Sequence, residues 1–272
     1  MEVANTTDML ETLMMPFMLK ALLVSVLISV ICAWSGIFVV LNKMAFFSES
    51  VSHSSLAGIA FALWFGFDPS VFLVFFSVVV AIAIALVSQS SISSRDSVIG
   101  IIHAATMSIG IIVLSFLHGG NTDISRYLFG DVLAITNTDV YISSALFIMA
   151  AVYLLIFGKT HVLTCITPDF ARLSGISVKK YDFMLMIALA LVISASVKVA
   201  GAILVTALLI IPPNAAKNFA RSFSAFRAFS IIIGFTGAIT GMLASVYFDL
   251  PAGPSIIIVN SAIYLISLFA RR

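Results

Sequence analysis

The chain has 272 residues, of which 61% are hydrophobic and only 10% are charged, and its formal net charge at pH 7 is +2. A soluble domain carries about 25% charged residues, so this composition excludes a soluble enzyme, a disordered protein and a nucleic-acid-binding protein. The sequence predicts a membrane protein that crosses the lipid bilayer several times.

Apolar runs follow one another along the chain, and most are long enough to cross a membrane. A bilayer core about 30 Å thick needs roughly 20 apolar residues in a helix, and only helices or closed barrels satisfy the backbone in lipid. The runs lack the alternation of a barrel, which predicts an all-α polytopic membrane protein. The predicted spans are Pro16–Leu41, 47–65, 69–87, 98–117, 140–157, 183–211, 229–248 and 255–270.

Residues 1–15 form a polar, acidic start without the basic segment of a cleavable signal peptide. We expect this tail to be extracytoplasmic and to remain in the mature protein. The remainder, 16–272, shows no linker and no internal repeat. It is therefore predicted to be a single transmembrane domain with a cytoplasmic loop at 158–182.

The position of basic residues decides between eight and nine spans, because short loops rich in Lys and Arg stay cytoplasmic. If the long run 183–211 is one helix, the basic segment 217–227 faces outward. A break near Lys198 and Gly201 places every basic segment inside and the N-terminus outside. Nine crossings are therefore favoured, with one of them short or broken.

Two further features concern helix packing. Gly234, Gly237 and Gly241, followed by Ala244, form a small-residue ridge that lets another helix approach closely. Pro212-Pro213 is expected to end the split run, and the adjacent Asn214 to mark a helix end.

Ionisable residues inside predicted spans are functional candidates by default. Glu49 is the only glutamate beyond the N-terminal tail, and His53 follows four residues later, on the same face of a helix. A carboxylate and an imidazole together suit a divalent transition metal, Zn²⁺ above all, with Mn²⁺ or Fe²⁺ possible. The alternatives are a buried hydrogen-bonded pair between helices, or a glutamate solvated near the membrane surface.

The remaining polar candidates have simpler interpretations. His103 could line the same cavity, or it could form a hydrogen bond between helices. His118 and Asp123 could attract cations at the outer face, or lie in a solvated loop. Lys198 is expected to reach the membrane interface or cap carbonyl groups, and Lys20 to reach the interface.

The segment Pro168–Gly175 reads as a short amphipathic helix within the basic loop. Asp169 complements the helix dipole at its start, and Gly175 suits a C-terminal cap. Phe170, Ala171 and Leu173 give it an apolar side that suits a docking element for another protein. A helix lying on lipid headgroups is the alternative.

No segment matches a nucleotide-binding loop, a zinc-protease motif or a serine-hydrolase motif. We therefore expect no enzymatic activity in this chain. If transport here uses ATP, another chain must supply the ATPase.

Several ordered motifs resemble those of the metal-ion ABC importer permeases, in particular the zinc permeases. The segment ESVSHSSLAG at 49–58 resembles the acidic-x-x-x-His helix of that family, although its usual acid is Asp. The segment YLFGDVLAI at 127–135 resembles its outer-loop signature, and 168–175 its ATPase-coupling segment. The segments 199–212 and 249–254 complete the set. Pro213-Asn214 departs from the small residues that follow in the family, and His103 lies one position from a family histidine.

The resemblance implies a homodimeric permease of the bacterial inner membrane with two copies of a separate ATP-binding subunit and an extracytoplasmic metal-binding protein. It also implies that Glu49 and His53 contact the ion, with His103 as a further candidate, and that no cofactor is permanently bound. The coupling residues would be Pro168, Asp169, Phe170, Ala171, Arg172, Leu173 and Gly175. The cargo would be a divalent metal, zinc in the first place.

Other functions stay open at this point. A manganese or iron importer of the same family is the nearest alternative. A proton-coupled secondary transporter would usually show broken helices in both halves, and only the second half has a candidate break. An intramembrane enzyme would need a catalytic group beside Glu49, and the spans hold no second carboxylate.

Overall fold

The computed structural model describes residues 15–116 and 136–269, and every regular element in these two ranges is a helix. This agrees with the predicted all-α architecture. The helices are α1 (Pro16–Leu41), α2 (Ala45–Phe65), α3 (Pro69–Ser90), α4 (Arg95–Phe116), α5 (Asn137–Ile166), α6 (Pro168–Leu173), α7 (Val178–Ala200), α8 (Ala202–Phe219), α9 (Phe223–Phe248) and α10 (Ala252–Phe269).

Eight of these helices are long and apolar enough to cross a membrane, and α2 and the six-residue α6 are not among them. Helix α2 is long enough at 21 residues but is more polar, since serines follow one another along it together with Glu49 and His53. It nevertheless packs inside the bundle against α3 and α4. With α2 included, the described residues contain nine helices of spanning length.

The predicted break in the 183–211 run is present at Gly201, which separates α7 from α8. Its backbone has φ 80° and ψ 158°, a conformation that a residue with a side chain rarely adopts. Its N–H still donates to Val197 O at 2.9 Å, and its carbonyl accepts from Val205 N at 3.2 Å. One residue therefore ends one helix and begins the next.

The expectation that Pro212-Pro213 ends the run is wrong, because α8 continues through both prolines to Phe219. A proline at 213 removes the usual donor to the carbonyl of Leu209. That carbonyl lies against Gly36 of α1, where a side chain would collide with it. Asn214 lies within the helix, and its Nδ2 donates to Ile210 O at 2.8 Å.

The predicted loop 158–182 is mostly helical. Helix α5 starts with a capping box, in which Thr136 and Asp139 bond each other's backbone N–H groups. It then runs 30 residues to Ile166, nine beyond the predicted end at 157. Only short connectors separate it from α6, and α6 from α7.

The small-residue ridge of α9 makes close contacts with two helices. A Cβ on Gly234 would lie 2.7 Å from Ala33 of α1, and one on Gly241 would lie 2.5 Å from Ile256 of α10. A Cβ on Gly237 would collide with the side chain of Asn260 in α10. The predicted close approach is therefore confirmed, and it joins α1, α9 and α10.

Ion pairs hold both ends of α7. Near its start, Asp182 accepts two hydrogen bonds from Arg95, the first residue of α4, at 3.0 and 2.6 Å. Near its end, Lys198 lies 3.6 Å from Asp139 of α5. Lys198 is thus paired with a carboxylate, which neither of its predicted roles included.

Candidate functional site

Helices α2 and α4 bring three of the predicted site residues together. Glu49 and His53 lie one turn apart on α2, and the ring of His103 on α4 faces His53 edge-on with 5.8 Å between ring centroids. Both Glu49 and His103 are close enough to interact electrostatically with His53. The close approach of α2 and α4 continues one to two turns further on, where a Cβ on Gly110 would lie 3.0 Å from Ala57.

Buried polar atoms without a hydrogen-bond partner concentrate around these helices. Seven such side-chain atoms occur in the described part of the chain, and five of them belong to α2, α3 and α4. Native interiors contain few such groups, and each calls for an explanation such as a bound ion or water. The five residues are Ser50, Ser52, His53, Ser77 and His103.

Glu49 lies on a face of α2 that other helices of the chain cover only in part, since its side chain is half-buried. Lipid is a poor environment for a carboxylate, and charged residues in spans almost always face protein or water. The Glu49 face therefore requires an additional protein surface or a water-filled space.

The described residues of one chain do not complete a metal site. Among residues 15–116 and 136–269, no three His, Cys, Asp or Glu side chains are arranged to hold a metal ion. Glu49, His53 and His103 offer one oxygen and two nitrogen ligands in the same neighbourhood. This set suits a divalent transition metal, provided that water or a second chain supplies further ligands.

The short helix predicted within 168–175 is present as α6. Pro168 is its first residue, and Arg172 donates to Asp169 at 3.1 Å across one turn. Ala171 is fully buried and fastens the helix to the bundle, whereas Phe170 is 60% and Leu173 is 87% exposed. The helix thus presents two large apolar side chains away from the protein.

Gly175 ends this segment as the sequence predicts. Its φ is 78°, and its N–H donates to Arg172 O at 3.0 Å. The N–H of Ile176 donates to Ala171 O at 2.9 Å, which closes the turn. These bonds are those of a glycine-terminated helix.

Sequence reasoning missed a buried histidine. His161 lies inside α5, is fully buried, and its Nε2 is 2.7 Å from the hydroxyl of Tyr153 two turns earlier. Phe38 and Tyr181 contact its ring edge-on. His161 falls in the segment 158–182, which the sequence predicts to be a loop. The apolar pair that follows it, Val162-Leu163, is the sequence signal that the helix continues.

Other predicted features fall outside the described residues. His118, Asp123 and the outer-loop motif at 127–135 belong to the segment 117–135, and the N-terminal tail lies largely within residues 1–14. Their predicted roles stay predictions.

Comparisons with known proteins agree on one family. The sequence profile of the ABC 3 transport family matches residues 14–271. The chain is 36% identical over 260 residues to the high-affinity zinc uptake system membrane protein ZnuB of Haemophilus influenzae, covering 95% of this chain and 99% of that protein.

A manganese protein and a solved structure are also similar. The manganese transport system membrane protein MntC of Halalkalibacterium halodurans is 30% identical over 253 residues, covering 93% of this chain and 87% of that protein. The structure of PsaBC from Streptococcus pneumoniae in complex with Fab superposes with a TM-score of 0.84 at 28% identity. It covers 97% of this chain and 96% of that chain.

Proposed function

The chain belongs to the ABC 3 transport family, and from this we propose that it is the permease subunit of an ATP-driven importer of a divalent metal ion, with zinc as its cargo. It is a multi-pass protein of the bacterial inner membrane. The observation that carries the proposal is the convergence of Glu49, His53 and His103 between two membrane helices.

The ion contacts these three side chains on its way through the membrane. Oxygen and imidazole ligands replace part of the hydration shell of the ion, and a change of helix positions must weaken them for release. The unpartnered Nδ1 atoms of His53 and His103 are the nitrogens left free for this purpose.

A second copy of the chain completes the site. The incompletely covered carboxylate of Glu49 cannot remain against lipid, and no complete ligand set occurs in the described residues of one chain. Two copies that meet along the exposed face of α2 would cover Glu49 and bring two sets of ligands together. This supports a homodimer with the pathway between its subunits.

ATP hydrolysis takes place in a partner, since the chain lacks a nucleotide-binding motif. With nine crossings and the basic segments inside, α6 lies on the cytoplasmic side. Its exposed Phe170 and Leu173 dock into two copies of the ATP-binding subunit, one for each permease. Movement of α6 is passed directly to α7, because only four residues separate the two helices.

At the outer face, an extracytoplasmic metal-binding protein delivers the ion. Closure and reopening of the ATPase pair then alternates access to the site from outside and inside. Import of manganese is the second candidate. The chain is 36% identical to a zinc uptake protein, but it is also 30% identical to a manganese transport protein.

Metal-limited growth distinguishes the two cargoes. The chain and its partners are expressed in a bacterial strain that lacks its own importers, and growth is measured under zinc, manganese or iron limitation. We expect rescue under zinc limitation. Rescue under manganese limitation alone would replace zinc by the second candidate.

The site is tested with the double variant Glu49→Gln/His53→Ala. We expect zinc uptake in proteoliposomes to fall to background, because the carboxylate charge and one imidazole are lost together. Glu49→Asp is the matched control and retains uptake, since it keeps the carboxylate. Normal uptake by the double variant at equal protein level would exclude these residues from the pathway.

A further inference from the structure

The connector between α3 and α4 presents a fully exposed aliphatic side chain. Ile92 has a relative accessible surface of 107%, as large as in an extended peptide. The other connector residues, Ser91, Ser93 and Ser94, are polar. The N–H of Ser93 donates to Ser91 Oγ at 3.0 Å, so a local turn holds Ile92 outward. A branched aliphatic group so exposed gains free energy when another apolar surface covers it.

This connector is fastened on both sides to the start of α7. Before it, Gln89 Nε2 donates to Lys179 O at 3.4 Å. After it, the guanidinium of Arg95 bonds both carboxylate oxygens of Asp182. The paired geometry fixes direction as well as distance. Ile92 is thereby held in a defined position beside the base of α7.

Helix α6 is fastened to the same place. The bond from Ile176 N to Ala171 O at 2.9 Å and the complete burial of Ala171 hold α6 against the bundle just before α7 begins. The exposed side chains of Phe170, Leu173 and Ile92 therefore surround the base of one helix. Arg172, Lys179 and Lys180 are exposed among them.

We propose that the connector Ser91–Ser94 is a second docking element for the ATP-binding subunit, with Ile92 as its anchor. This rests on the proposed function, in which α6 docks on that subunit. The two elements both adjoin the base of α7, with basic residues exposed around it. The matching surface of the partner is an apolar recess with acidic side chains at its border.

A protein fits this surface better than lipid does. The connector itself has only serines beside Ile92 and none of the Trp, Tyr, Lys or Arg that usually anchor a segment in the headgroup layer. The basic residues of α6 and α7 nearby equally suit acidic side chains of a protein. A rigid, outward-pointing side chain is the preorganised kind of contact that a protein recess requires.

The second contact links the ATPase mechanically to the proposed ion site through α4. Helix α4 begins at Arg95, directly after the connector, and carries His103 about two turns further on. A push on the connector therefore moves His103 relative to His53 of α2. Through α6, the same partner moves α7. Movement of the ATP-binding subunit is therefore passed to both α4 and α7.

Photo-crosslinking of the full complex in lipid nanodiscs tests the contact. A photoreactive amino acid replaces Ile92, Phe170 or Phe75 in separate variants; Phe75 is a control in the middle of α3 with 59% exposure. We expect adducts with the ATP-binding subunit from positions 92 and 170 but not 75. Adducts from 170 alone, with lipid adducts from 92, would overturn the second contact and leave the proposed function intact. Adducts from neither would overturn both.

A substitution tests its importance. Truncation of a central apolar anchor typically weakens an interface about tenfold or more, so Ile92→Ser is expected to lower the affinity for the ATP-binding subunit about tenfold and to reduce uptake. Leu250→Ser is the control, because Leu250 is exposed in the connector between α9 and α10. Unchanged affinity and uptake in Ile92→Ser would overturn the proposal.

Discussion

Two regions of the bundle use their small and polar residues in opposite ways. In the first, α1, α8, α9 and α10 approach so closely that Gly36 and Gly237 have no room for a side chain. Two of its buried serines bond between helices: Ser29 Oγ donates to Gly234 O and Ser230 Oγ to Ala33 O, both at 2.7 Å. We call this the packed region.

The second, which we call the polar region, consists of α2, α3 and α4. It is richer in serine than the packed region, and five of its buried polar atoms lack a partner. In the packed region these bonds tie α1 to α9, and Asn260 Oδ1 is the one unpartnered buried side-chain atom among its described residues. In the polar region these five atoms find no partner among the described residues. This difference is consistent with the proposal that α2, α3 and α4 contact the ion while the packed region serves as the scaffold.

The largest expected effect on stability comes from adding one methyl group in the packed region. Gly36→Ala would force the new Cβ against the carbonyl of Leu209, a backbone atom that cannot move aside. We expect a loss of about 3 kcal/mol in the free energy of unfolding, the upper end of the usual cost of overpacking. Thermal unfolding of the purified protein in detergent measures it.

Gly100→Ala is the matched control, because a Cβ on this helical glycine of α4 meets nothing within 4 Å. Its unfolding temperature should be unchanged or slightly higher. Equal stability of the two variants would show that the contact between α1 and α8 is not tight.

The next effect concerns the metal. A ligand that binds only the folded state, present at about one hundred times its Kd, raises the free energy of unfolding by about 2.7 kcal/mol. Zn²⁺ should therefore raise the unfolding temperature of the native protein and of Gly100→Ala, and removal by a chelator should reverse this. The Glu49→Gln/His53→Ala variant should show no shift. A full shift in that variant would place metal binding elsewhere.

The smallest expected effect on stability comes from replacing one of two serines, Ser29 and Ser77, that are both fully buried. Ser29→Ala in the packed region removes the hydrogen bond that Ser29 Oγ donates to the Gly234 carbonyl of α9, which costs about 1 kcal/mol. Ser77→Ala in the polar region removes a hydroxyl that has no partner, so stability should stay equal or rise. A loss as large as that of Ser29→Ala would mean that Ser77 has a bound partner after all.

Much of the fold follows from local pattern. The bounds of α1 agree with the predicted span. The break at Gly201 was predicted because it places every basic segment of the chain, including 217–227, on the cytoplasmic side. The extension of α5 to Ile166 and the passage of α8 through Pro212-Pro213 were not predicted. Hydropathy does not show where a helix ends once it leaves the lipid, and a proline stops a helix only where nothing accommodates the freed carbonyl.

For the candidate site, the sequence by itself determined that Glu49 and His53 share a face, because the helical period places residues four apart together. Only the tertiary structure brought His103 against His53, paired Arg95 with Asp182, and placed Ile92 beside the base of α7. Spacing along one helix is a local property of the chain. The distance between helices depends on how closely their surfaces pack. Gly36 and Gly110 permit a close approach only because of the residues that face them on the neighbouring helices, which the local sequence does not show.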